Sequence, residues 1–281
     1  MKQRIVTASV LIPIAIIWLF FLPLNQFSIV AGVLFFLAGR EWSRFSSISN
    51  TLIFAASYVV ILILSCWMIS FSFQAQGPIP LVLQVILGAG ALWWCLALRM
   101  ILRYPGYEAW WKHHVALKWL FGLLTLLPFF WALVVLRTYH TPGDHSVGSW
   151  RLLFVMSLVW VADTGAYFVG RKFGARKLLP AVSPNKTIEG LLGGVGAASL
   201  LAIVVTLARD VTFRESLAIV VSSILAVLAS VLGDLTESLF KREAGMKDSG
   251  SLLPGHGGVM DRIDSLTAAL PVFVISYLLI S

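Results

Sequence analysis

One pattern repeats along the chain: apolar runs as long as a bilayer-crossing helix, each closed by a short polar stretch. A hydrocarbon core of about 30 Å takes roughly 20 helical residues to cross. Within lipid only a helix or a closed barrel satisfies its own backbone. Candidate spans fall at residues 5–24, 27–39, 51–73, 78–98, 115–136, 150–170, 188–208, 215–240 and 264–280. The second is short enough to be re-entrant or tilted, which leaves eight crossings as the alternative to nine. The first, "IVTASVLIPIAIIWLFFLPL", is longer than the apolar core of a cleavable signal and lacks a small-residue cleavage site after it. The expected fold is all-α, a polytopic helical bundle. Composition agrees, with 59% of the 281 residues hydrophobic and 12% charged, against about 25% charged in soluble domains.

Charge orients such a bundle. Lys2, Arg4, Arg40, Arg44, Arg99, Arg103, Lys112, Arg171, Lys172, Arg176, Lys177, Lys186, Lys241, Arg242, Lys247 and Arg262 share one side if nine spans alternate. Arg137, Arg151, Arg209 and Arg214 fall on the other. The basic-rich side is cytoplasmic by the positive-inside rule, with the N-terminus inside and the C-terminus outside. The net charge of +8 is met by this topology and by anionic headgroups, and calls for no nucleic acid. Cys66 and Cys95 read as packing residues, and Trp93–Trp94 and Trp110–Trp111 as interfacial anchors.

The two halves differ. Residues 1–136 carry ionisable groups almost only at span ends and read as a scaffold. Residues 150–281, with polar loops at 171–187 and 241–260, read as the working region. There Asp163 lies within a span, Asp234 near the end of another, and Asp261 and Asp264 open the last. An acid at mid-bilayer costs about 2.5–3.5 kcal/mol and is kept mainly where it lines a polar cavity or has a partner. Helix spacing puts Asp234, Ser238 and Lys241 on one face, and Asp261, Asp264 and Ser265 on one face of the next helix. With a loop of about twenty residues between them, the two helix ends are expected side by side, offering three carboxylates to one point. Hard oxygen donors of this kind suit Mg²⁺. Zinc is disfavoured, because His256 has no second His or Cys near it.

Between those helices, "GHGG" at 255–258 precedes a helix start, where glycines let backbone N–H groups approach an anion. Lys241, Arg242, Lys247 and Arg262 surround it in sequence. Glycine turn, cations and metal-binding acids together are what a nucleoside triphosphate requires. A second basic loop, "GRKFGARKLLPAVSPNKTIEG" at 170–190, reads as a helix start at "SPNKTIEG" and as a phosphate contact through Asn185 and Lys186.

The stretch "SLFKREAGMKDSGSLLPGHGGVMDRID" at 238–264 resembles the signature of the phosphatidate cytidylyltransferase (CDP-diacylglycerol synthase) family. Ser238, Lys241, Arg242, Lys247, Asp248, His256, Gly257, Gly258, Asp261, Arg262 and Asp264 meet each of its fixed positions. "ADTGAYFVGRKFG" and "SPNKTIEG" extend the likeness over about 160–270. The resemblance implies a bacterial inner-membrane enzyme that joins CTP to phosphatidate, giving CDP-diacylglycerol and pyrophosphate. It implies Mg²⁺ dependence, a potassium ion as second metal, and a homodimer. By motif, Asp234, Asp261 and Asp264 are the metal-binding carboxylates. Lys241, Arg242, Lys247 and Arg262 hold the triphosphate and the lipid phosphate, with Ser238, Asp248, His256, Gly257, Gly258, Asn185, Lys186 and Asp163 as further substrate contacts. A phosphate nucleophile is already ionised at neutral pH, so His256 is expected to contact phosphate or order its loop rather than act as base.

Two other readings remain open on the residues alone. Asp163 and Asp234 would also suit a transporter's coupling sites, although no inverted repeat relates the halves. A CTP-dependent enzyme acting on another membrane lipid alcohol or phosphate would need much the same residues.

Overall fold

The computed structural model describes residues 9, 13–46, 50–70, 79–138, 145–209, 211–253, 255 and 257–281. Residues 13–20 are helical, and most of the rest of the first expected span lies outside the described residues. After Pro23, α1 runs Leu24–Trp42 and ends in a 3₁₀ turn, Ser43–Ser46. Then follow α2 (Thr51–Ser70), α3 (Leu81–Leu102), α4 (Val115–Thr138) and α5 (His145–Phe173). A two-stranded antiparallel hairpin, β1 (Lys177–Leu179) and β2 (Ser183–Thr187), precedes α6 (Ile188–Leu207), α7 (Phe213–Glu243) and α8 (Met260–Ile280).

The helices α2 to α8 are long and apolar enough to cross a membrane, so this is an all-α, multi-pass membrane protein. The expected second span appears as α1, of 19 residues. Asn25, Gln26, Arg40 and Glu41 near its ends shorten its apolar stretch. Large apolar side chains such as Leu192, Leu200 and Leu207 of α6 stand on the outer surface, where hydrocarbon rather than water is their natural solvent.

Packing divides the chain into two interleaved units. One comprises Met1–Trp93, Ala109–Leu153 and Phe240–Ile263, the other Trp94–Glu108, Phe154–Leu239 and Asp264–Ser281. This division is one of packing, and differs in kind from the one by charge at residues 136 and 150.

In the first unit α1 lies against α2 and α4. Indole N–H groups tie these helices at polar points: Trp42 donates to the Lys118 carbonyl at 2.8 Å, Trp119 to Ser57 at 2.8 Å and Trp131 to Ser65 at 3.0 Å. The tryptophans expected as interfacial anchors are mostly inside. Trp93, Trp94 and Trp111 are buried, and Trp93 stacks on Phe121 at 4.5 Å while donating to Thr125. An indole at a span end fits either place, because it has one polar tip on a large apolar body. Cys66 and Cys95 depart the other way: both are exposed rather than packed inside.

Phe240 anchors the end of α7. It is 1% exposed and meets Trp42 at 4.9 Å, Trp111 at 5.0 Å, and Phe45 and Phe121 at 6.2 Å each. Aromatic pairs of this kind contribute about 0.5–1.5 kcal/mol each beyond area burial. They fix the last turns of α7 immediately before Lys241. Lys112 and Glu243 then pair at 2.9 Å. The helix stops at Glu243; two residues on, Gly245 takes φ +67°, and the Met246 N–H reaches back to the Lys241 carbonyl at 2.8 Å, a Schellman-type ending.

In the second unit α5 and α6 approach through small residues. Gly190, Gly194, Ala198 and Ala202 form the buried stripe of α6. A Cβ added at Gly190 or Gly194 would lie 2.9 Å from the Ala166 carbonyl or 2.7 Å from that of Ala162. In lipid, where apolar burial gives helices little reason to associate, such close backbone packing is what holds them. Within this unit α7 and α8 also touch, Gly233 resting on the Asp264 carbonyl.

Candidate active site

From Phe240 to Ile263, within the first unit, the signature stretch builds a helix end, a turn and a helix start, while its first and last fixed residues, Ser238 and Asp264, belong to the second. Lys241 Nζ donates to Asp261 Oδ1 at 2.7 Å. Asp261 Oδ2 accepts the Gly258 N–H at 2.8 Å, the Ser249 N–H at 2.9 Å and lies 2.9 Å from the Ser249 hydroxyl. Gly257 sits at φ +83°, and a Cβ there would be 2.6 Å from Asp261 Oδ2. The glycine of "GHGG" is thus required both for its left-handed backbone and for its nearness to the carboxylate. Leu253 donates to the Gly257 carbonyl at 2.9 Å and closes the turn. Arg242, Lys247, Asp248 and Arg262 are exposed around this turn, and Gly258 is buried beneath it. His256 lies outside the described residues.

A residue that the charge pattern assigns to the scaffold reaches the same turn. Glu41, 5% exposed, accepts the N–H groups of Val259 at 3.0 Å and Met260 at 2.8 Å, and stands 3.0 Å from the Ser249 hydroxyl. Arg44 donates to the Ser249 carbonyl at 3.2 Å. The signal available in sequence was an acid within "GREW" at the end of an apolar run, indistinguishable from an ordinary interfacial charge.

The second unit holds the other candidates. A cavity of about 470 Å³ is lined on its polar side by Asp163, Arg171, Asn185, Lys186 and Thr187, and elsewhere by Gly170, Gly190, Leu191, Val227 and Val231 among others. Lys186 forms an ion pair with Asp234 Oδ2. The hairpin delivers Asn185 and Lys186 to this place. Its register pairs Lys177 with Thr187 and Leu179 with Ser183, and Thr187 then caps α6 by accepting the Gly190 N–H at 3.1 Å. Glu189, in the first turn of α6, accepts the N–H groups of Ala175 and Arg176 at 3.1 Å and the Arg176 Nε at 2.9 Å. The basic loop expected to contact phosphate is an ordered hairpin here, and the helix start falls at "SPNKTIEG" as expected.

Asp234 accepts a long 3.4 Å bond from Ser238, and Asp264 Oδ1 accepts the Ser265 N–H at 2.7 Å. Among the described residues no three His, Cys, Asp or Glu side chains are grouped closely enough to hold a metal ion. Within its own unit each carboxylate has protein donors: Asp261 has Lys241, Ser249 and Gly258, and Asp234 has Lys186 and Ser238.

The model of the cytidylyltransferase family matches residues 2–280. The chain belongs to the cytidylyltransferase family. Relatives within it include the phosphatidate cytidylyltransferase of Haemophilus influenzae, 41% identical over 286 residues that cover 99% of this chain and 98% of that protein. The phosphatidate cytidylyltransferase of Pseudomonas aeruginosa is 39% identical over 279 residues, covering 97% and 95%. That of Staphylococcus epidermidis is 46% identical over 127 residues, 45% of this chain and 48% of the relative. For a cytidylyltransferase the site's make-up is chemically apt. In the first unit cations flank an ordered turn, whose N–H groups at Gly258, Val259 and Met260 are taken by Asp261 and Glu41 rather than left for a phosphate as the glycine motif led one to expect; in the second unit Arg171, Asn185 and Lys186 line a polar cavity.

Proposed function

We propose that this protein transfers the cytidylyl group of CTP to phosphatidate, forming CDP-diacylglycerol and pyrophosphate. The observation that carries the proposal is the ordered turn around Asp261, built from the signature residues that the full-length relatives' name leads one to expect. The basic-rich side of the bundle, and with it the site, faces the cytoplasm of a bacterial inner membrane in this reading, where a dissolved nucleotide meets a lipid phosphate.

The chemistry follows from the charges. A phosphatidate phosphate oxygen attacks the α-phosphorus of CTP, and the bond from that phosphorus to the bridging oxygen of pyrophosphate breaks. The nucleophile is ionised at neutral pH, so no side chain need remove a proton. Both reactants are anionic, and Lys241, Arg242, Lys247 and Arg262 offset charge as pyrophosphate leaves. Asn185 and Lys186, presented by the hairpin into the cavity with Asp163 and Arg171, are assigned to a substrate phosphate. Ser238, Asp248, His256, Gly257 and Gly258 complete the proposed contacts.

Hard carboxylate oxygens without Cys partners suit magnesium, which keeps waters and shares its shell with substrate phosphates. Asp234 and Asp264 stand on helices in contact at Gly233, and their donor chemistry fits such an ion. Asp261, the third acid of the motif, is assigned to the same ion. When bound, the cation would supply charge screening between the two phosphates. A potassium ion as second metal and a homodimeric state belong to the same proposal.

A comparison of lipid acceptors tests the substrate. Phosphatidate, the matching diacylglycerol and a polyprenyl phosphate are each supplied with CTP and Mg²⁺ to purified protein. The expected result is nucleotide transfer to phosphatidate alone, with one pyrophosphate per lipid product. Preferential use of another acceptor would overturn the assignment.

A further inference from the structure

Glu41 lies in the first unit, more than two hundred positions before the residues it holds. The first N–H groups of a helix have no partner within it. At the start of α8 the carboxylate of Glu41 meets the Met260 N–H and, one residue earlier, that of Val259. A negative group there also complements the positive end of the helix dipole. The site is built around this side chain. A Cβ placed on Gly250 or Gly258 would run into its carboxylate, so two glycines of the loop leave room for it. Ser249 links it to the proposed reaction centre, its hydroxyl standing 3.0 Å from Glu41 Oε2 and 2.9 Å from Asp261 Oδ2.

That hydroxyl has one proton to share between two carboxylates. Arg44, one helical turn after Glu41, holds the Ser249 carbonyl. Glu41 and Arg44 therefore hold the hydroxyl and the carbonyl of Ser249, whose N–H also binds Asp261.

We infer that Glu41 is a positioning residue for the transfer reaction: it caps α8, seats Ser249, and through Ser249 sets the place of the Asp261 carboxylate. It touches no reacting atom. Its part in the reaction is carried by geometry, and this inference rests on the cytidylyltransferase function proposed above. A carboxylate suits the position because three donors converge on two oxygens. An amide would turn an N–H₂ group towards at least one of them.

The test compares wild type, Glu41→Gln, Glu41→Asp, Ser249→Ala and the Glu41→Gln/Ser249→Ala double variant in detergent. Transfer kinetics are measured beside amide hydrogen exchange of residues 257–262. Misplacing a reacting group by about 1 Å costs on the order of 100-fold in rate. Glu41→Gln should accordingly lose about that in kcat, with KM for CTP changed less than about 3-fold. Glu41→Asp, which keeps the charge on a shorter arm, should recover part of the loss. The double variant should be little worse than the poorer single variant, because both substitutions break one chain of contacts. Exchange at Val259 and Met260 should quicken in Glu41→Gln.

Wild-type kcat with unaltered exchange in Glu41→Gln would overturn the inference, as would additive losses in the double variant. If Glu41→Gln does not fold, wild-type kcat in a folded Glu41→Asp has the same force. Absence of transfer in the wild type would instead refute the proposed function, while the exchange result would still judge the capping role.

Discussion

Lys241 and Asp261, twenty positions apart, meet at 2.7 Å and join the end of α7 to the start of α8. Both side chains are largely buried, 13% and 7% exposed. Removing either leaves the other's charge poorly solvated, which is far costlier than losing a surface pair.

Asp261→Asn should therefore abolish most activity, by about 10²–10³ if it removes one pre-arranged electrostatic contact. It should also loosen the turn at Ser249 and Gly258, whose N–H groups it now holds. Limited proteolysis across 244–259 alongside the transfer assay checks both. Normal kcat with an intact turn would remove Asp261 from the site.

Lys186 serves the second unit. Its ammonium pairs with Asp234 and lines the cavity, so Lys186→Gln takes one positive charge from the proposed phosphate contact. KM for the substrate it contacts is expected to rise about 10-fold, worth about 1.4 kcal/mol. Separate titration of CTP and phosphatidate will show which substrate that is.

Gly194 and Gly196 make an internal control. Ala is preferred to Gly in a helix by about 0.8–1.0 kcal/mol, and a Cβ at Gly196 meets nothing within 4 Å. Gly196→Ala should leave the melting temperature unchanged or raise it. Gly194→Ala brings a methyl to 2.7 Å from the Ala162 carbonyl and should lower it, overpacking costing about 1–3 kcal/mol. Thermal melts in detergent separate the two.

Gly257→Ala places a side chain at φ +83° and close to Asp261. The left-handed backbone alone costs about 1–2 kcal/mol. Activity should fall well beyond what that strain implies, because the displaced group is Asp261. A fall confined to stability, with kcat unchanged, would separate the turn from the reaction.

The membrane helices were legible because apolar length is a local property, and α2 to α8 follow their runs within a few residues. The start of α6 was legible because Thr187 and the residues after it carry their own cap. The signature residues could be picked out by spacing, yet spacing did not tell which donors meet them. That Asp261 belongs to the signature was legible, but not that Lys241, Ser249 and Gly258 donate to it. Glu41 was invisible because its partners lie on the far side of the sequence. Trp93 and Trp111 misled for a related reason: a run's composition states that a helix is apolar, not which of its faces meets lipid. The hairpin before α6 depends on the pairing of Lys177 with Thr187, which a basic loop does not advertise.

Which bond of CTP breaks decides the function, and paired isotope labels read it directly. Purified protein in detergent is given phosphatidate and Mg²⁺ with CTP labelled on the α-phosphorus in one reaction and on the γ-phosphorus in another. Cytidylyl transfer puts α-label in the organic phase and γ-label in aqueous pyrophosphate, in equal amounts, and that is the expected result. Label from the γ-phosphorus in the lipid would reveal a kinase, and no transfer of either label by folded protein would contradict a CTP-dependent transferase altogether.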